Sequence, residues 1–115
     1  MRAQQHLEQV SLSDLRPTQM TVGAAEVALK RAEWARLKPK TRGKLLLSHW
    51  FPAVKGPKGL YYIVDHHHLG QALWQEQVTS VWVMHLADFS AMEMGMFWRL
   101  MEFHQWAHPY LSLIH

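Results

Sequence analysis

Residues 50–75 constrain the fold of this chain more tightly than any other stretch. Trp50 to Lys55 and Leu60 to Val64 are two β-favouring runs separated by Gly56-Pro57-Lys58-Gly59, and such a pair around a Gly/Pro turn reads as a hairpin. Pro52 has no N–H to give to a ladder, so its strand is expected at a sheet edge or bulged there. The second run passes into Asp65-His66-His67-His68 and then into Leu69, Ala72, Leu73 and Trp74. Their spacing predicts a helix over residues 66–75 with one apolar side. A strand that feeds a helix leaves a junction where backbone N–H groups and the positive end of a helix dipole meet, a setting that favours an anion.

The flanking segments complete an α+β domain, a mixed sheet with that hairpin and packed helices. Val10 to Leu15 alternates apolar and polar residues and predicts a short strand, closed by Arg16-Pro17. Gly23 to Leu37 reads as a helix, with Val27, Trp34 and Leu37 available to the core and Lys30, Arg31 and Arg36 to solvent or ligand. Lys38-Pro39 ends it. Lys40 to Lys44 reads as a basic connector, and the periodicity of Leu45, Leu46 and Leu47 fits helix or strand equally. Val78 to Leu86 is a further strand. Ser90 and Glu93 form the capping-box pattern S-x-x-E, which opens a last helix to about Ala107, before Pro109. Met92, Met96, Phe97, Leu100, Met101, Phe103 and Trp106 cover more than one face of it, so it is expected to pack on two sides or against a part that this chain does not show.

Composition removes several function classes. The 115 residues contain no Cys, which excludes a disulfide scaffold, a thiolate zinc site and a Cys nucleophile. No apolar run approaches the roughly 20 residues of a membrane-spanning helix, and the first residues lack the apolar centre of a signal peptide. A cytoplasmic protein without a membrane partner is the expectation. Of the twelve Lys and Arg, eleven lie in residues 1–58 against four acids, whereas residues 59–115 hold Arg99 against five acids. Seven of the basic residues fall between Lys30 and Lys44. Arg31, Arg36, Lys38, Lys40, Arg42 and Lys44 are thus candidates for nucleic-acid contact, since each neutralised phosphate releases counterions. The competing reading is a solvated helix and loop.

Nine His are the other departure. In Asp65-His66-His67-His68, carboxylate and imidazoles form a ligand set for a divalent metal, and imidazole is an acid or base near neutral pH. Consecutive side chains diverge, so at most two of the three His can face one site. In the competing reading one His caps the helix, one packs under a loop and one is solvated. His104 and His108 are spaced i, i+4, which suits a shared ion with Asp65 and His68 but lacks the Glu of a zincin helix. Glu26 and Lys30 are also i, i+4, with Gly23 before them. As a surface pair they contribute about 0.3–0.5 kcal/mol; as a functional pair Lys30 contacts a phosphate and Glu26 accepts a proton or holds a cation.

The order of these pieces resembles the ParB/sulfiredoxin superfamily, and within it the ParB-like nuclease branch. The resemblance rests on VSLSDLRPTQ, on the helix containing VGAAEVALK, on the Gly-x-x-Gly hairpin, and on Tyr-Tyr-Ile-Val-Asp-His-His-His-Leu entering a helix. It runs from Val10 to Phe89, with the His-Pro-Tyr of residues 108–110. Aligned on Ala72, His66 stands where ParB and sulfiredoxin have Gly, His67 on their Glu or Cys, His68 on the first Arg or the His, and Leu69 on the last Arg. The missing Cys excludes sulfiredoxin chemistry, and the missing Arg residues remove the contacts by which ParB holds CTP.

What the resemblance implies is phosphodiester or nucleotide chemistry at the Asp65 to His68 junction. His67 or His68 would be the acid or base, Asp65 would orient it or hold a divalent cation, and His66, Lys30, Glu26 and Gly23 would surround the phosphate. The partner would be a nucleotide or nucleic acid. The alternatives are a non-catalytic DNA-binding or partition-type module and a structural interaction domain of a longer protein. Residues 111–115, Leu-Ser-Leu-Ile-His, resemble a translated transposase adapter, which gives an expected native domain over residues 1–110, continuing beyond Tyr110.

Overall fold

The structure, a computed structural model, describes residues 6–18 and 23–107. Among the described residues, five strands and four α-helices follow one another in the order β1 (Leu7–Ser11), β2 (Leu15–Pro17), α1 (Ala24–Ala35), α2 (Pro39–Ser48), β3 (Phe51–Lys55), β4 (Tyr61–Ile63), α3 (His67–Gln75), β5 (Ser80–Asp88) and α4 (Met94–Phe103). The strands form one mixed sheet in the order β1-β5-β3-β4-β2. β3 runs antiparallel to β4 and parallel to β5, while β2 runs parallel to β4 and β1 antiparallel to β5.

Period-2 alternation divides the core between the two faces of the sheet. Phe51, Ala53, Tyr61, Ile63, Val81 and Val83 pack with Trp34, Leu69 and Leu73, so α1 and α3 cover one face, joined by Leu45 and Leu46 of α2. Val54 and Tyr62 point to the other face and pack with Phe97 and Met101 of α4. The hairpin turn needs Gly56 for a steric reason, since a β-carbon there would lie 2.6 Å from the Tyr62 ring. α4 shows solvent a large apolar side, with Met96 and Phe103 exposed. No helix among the described residues is long and apolar enough to cross a membrane.

Several local expectations change. The strand expected over Val10–Leu15 is broken by a 3-10 turn at Leu12–Asp14, which sends β1 and β2 to opposite edges of the sheet. The basic connector is helical: Pro39 starts α2, where its missing N–H is no loss, and Leu45 and Leu46 pack it onto the core. Of the two settings expected for Pro52, the structure takes the bulge: β3 lies inside the sheet, with a register shift between Ala53 and Val54 beside Pro52. Ser90 does not cap the last helix. Its N–H and hydroxyl both donate to Asp88 Oδ1, Glu93 takes the N-cap position, and the helix ends at Phe103 rather than about Ala107. His108, the His-Pro-Tyr segment and the 111–115 tail lie outside the described residues.

Candidate functional site at the strand-to-helix junction

Three residues, 64–66, separate the end of β4 from the start of α3. Such a short link turns sharply, and His66 takes the left-handed conformation, φ 63° and ψ 35°. A residue with a β-carbon gives up about 1–2 kcal/mol there. The turn is held by Asp65, whose Oδ1 accepts the His66 N–H at 2.7 Å, and by the edge of the His66 ring against Phe51, with centroids 6.3 Å apart. Gly70 lets the helix lie close on the sheet, since a β-carbon there would meet Ile63 Cδ1 at 3.2 Å. The first helical N–H groups, those of His67, His68 and Leu69, have no acceptor within α3, because the first intrahelical bond is Gly70 N–H to the His66 carbonyl.

The three imidazoles separate as diverging neighbours must. His66, His68 and Asp65 are exposed, while His67 is buried. The Thr18 N–H donates to His67 Nε2 at 3.3 Å, which makes that nitrogen the acceptor and puts the ring proton on Nδ1. Thr18 Oγ1 lies at the same distance and donates its own hydrogen to the Ile63 carbonyl at 2.8 Å. His67 therefore clasps the end of β2 to the junction. Burial lowers its pKa below the ordinary imidazole value, outweighing the Ile63 carbonyl and Asp65, which favour the charged ring.

The other candidates spread over the molecule. Lys30 faces Glu33 at 3.8 Å instead of Glu26. The Glu26 carboxylate folds back onto Gly23 at the start of α1, in the space a β-carbon would take. Arg31 Nε donates to Glu76 at 2.6 Å and its Nη1 to Gln75 at 2.9 Å. Arg42 lies 4.9 Å over the Trp34 ring and donates to the Trp34 carbonyl. These two guanidiniums pin helices together, and Arg36, Lys38, Lys40 and Lys44 remain as exposed cations. His104 stacks on Trp106, 4.5 Å between centroids, on the α4 side of the sheet and away from α3. Among the described residues no three His, Asp or Glu side chains are placed to hold a metal ion.

One cluster escaped the sequence reading. His85 Nε2 lies 2.6 Å from Glu8 Oε1, and the Tyr61 ring stands edge-on to His85 at 5.3 Å. Burial, then the Glu8 carboxylate, raise the Tyr61 phenol. His85 follows Val81 and Val83 in strand alternation, a signal visible in the sequence, but its partner lies across a pairing of residues 77 positions apart.

Comparison with known proteins agrees with this architecture. The chain is similar to protein Atu1540 from Agrobacterium tumefaciens, known from its crystal structure, with 38% identity and a TM-score of 0.79 over 92% of this chain and 52% of that one. It thus spans about half the length of that protein. Among curated proteins none matches. Residues 8–112 match the family described as "Putative ParB-like nuclease". With nearly the whole chain matched, from β1 through α4, the protein belongs to the ParB-like nuclease family.

Proposed function

We propose that the domain binds a nucleotide or nucleic acid by a phosphate at the start of α3 and hydrolyses a phosphodiester there. The observation that carries this is the exposed Asp65, His66 and His68 around a strained left-handed turn, at a helix end with unused N–H groups. His68 is the proton-transfer residue in this reading. His67 has its Nε2 committed to Thr18 and acts by positioning the junction. Asp65 holds the turn through one oxygen, and the junction could take a divalent cation only with further ligands from the substrate or water. Nucleic-acid phosphates run along Arg36, Lys38, Lys40 and Lys44, the exposed members of the basic run.

The test is His68→Ala, assayed on labelled DNA, RNA and nucleotides with Mg²⁺, Mn²⁺ or Zn²⁺. Loss of an acid or base lowers turnover about 10²–10⁴-fold, with the melting temperature unchanged because the side chain is exposed. Unchanged turnover removes His68 from the chemistry. Salt-sensitive binding by the wild type with no product under any metal points instead to a non-catalytic binding module.

A further inference from the structure

At the far end of α3 from the junction, a groove of about 660 Å³ lies between α1, α3 and the start of β5. We infer that it is a docking site for an unpaired nucleobase of a nucleic-acid strand; this rests on the nucleic-acid reading above and adds a second subsite to it.

Trp74 is 54% exposed although its neighbours Ala72 and Leu73 are fully buried, so much of the indole is open at the groove it lines. Gln75 and Gln77 flank it; the Gln77 amide offers both donor and acceptor to the edge of a heterocycle, and Gln75, whose Oε1 accepts from Arg31, offers its N–H donors. Gln77 has φ 60°, the left-handed region, which turns the chain sharply out of the helix. Arg31 also lines the groove. Its guanidinium is held by Glu76 and Gln75, so its charge is neutralised while part of its fork stays free. A near-neutral slot with an aromatic platform and amide edges suits a planar uncharged ring rather than a phosphate. Its volume falls within the roughly 300–1,000 Å³ of small-molecule sites.

Charge outside the groove selects a strand over a free base. At helical spacing Arg36 stands about 8 Å along and about 140° round α1 from Arg31, and Lys38 comes next; both are exposed. A strand whose base stacks on Trp74 meets these cations by passing round the end of α1.

The experiment measures binding of labelled thymidine and deoxyadenosine oligomers, and of an abasic oligomer of equal length, by fluorescence anisotropy. Wild type should hold the base-bearing oligomers about tenfold tighter than the abasic one, the scale of one base on an aromatic side chain. Trp74→Ala should erase that difference and leave abasic binding unchanged. Base preference that survives Trp74→Ala overturns the inference. In parallel, adenosine alone is titrated into ¹⁵N-labelled protein, the Trp74 indole N–H being the resonance absent from Trp74→Ala. If no oligomer binds, the nucleic-acid reading fails, and the groove stands or falls on adenosine. A saturating shift of that resonance sustains a base-binding site, and no shift overturns it.

Discussion

Lowering the pH should weaken this fold through one residue, His67. Its Nε2 accepts the Thr18 N–H inside the protein, and burial pushes its pKa below the ordinary 6.5. The unfolded chain therefore takes the proton first. The stabilisation is complete above pH 6.5 and is lost as the pH falls through 6.5 toward the folded value. Even with the folded ring wholly neutral, the loss between about pH 7.5 and about pH 5.5 cannot exceed about 1.4 kcal/mol, the limit set by one pH unit below the unfolded pKa. At the urea m-value of a small domain, about 1–3 kcal/mol/M, the unfolding midpoint then moves by at most about 0.5–1.4 M. His67→Gln keeps an acceptor for Thr18 but cannot titrate. Urea titrations of both proteins at the two pH values cancel the contributions of the other His residues. The wild-type midpoint should fall further than that of His67→Gln, and parallel falls would refute the clasp as drawn.

Four further outcomes follow from particular residues. Gly56→Ala must push its new methyl against the Tyr62 ring, 2.6 Å from the β-carbon position; a loss of about 1–3 kcal/mol is expected in urea unfolding. Phe97→Ala empties the centre of the α4 layer and should cost about 3–5 kcal/mol, again read by urea unfolding. The double variant Lys40→Ala, Lys44→Ala should reduce the slope of log K against log salt for duplex DNA by about 2, measured by anisotropy across a salt series. Arg42→Ala should leave that slope alone and lower the melting temperature, because its guanidinium is spent on Trp34.

The junction illustrates how far a site can be read from residues alone. That three adjacent imidazoles cannot share one target follows from backbone geometry. Which of them is withdrawn depends on Thr18, placed beside the junction because β2 pairs with β4. The basic run shows the same division. Its charge is plain in the sequence, but Arg31 and Arg42 are engaged by Glu76 and Trp34, partners supplied by other helices.

Neighbours a few positions apart were enough for the helix Ala24–Ala35, the β3–β4 hairpin, the strand before Asp-His-His-His and the helix after it, and composition alone excluded cysteine chemistry. Distant pairing settled the rest. It broke the first predicted strand into two that join opposite edges of the sheet, and it placed β3 inside that sheet with Pro52 next to a bulge. Packing of Leu45 and Leu46 drew the basic connector into a helix. It also set His104 and the Asp65–His68 turn in separate layers. The physical reason is range: helical and strand periods are written over a few residues, whereas strand order and burial are fixed by contacts that loop closure brings together from across the chain.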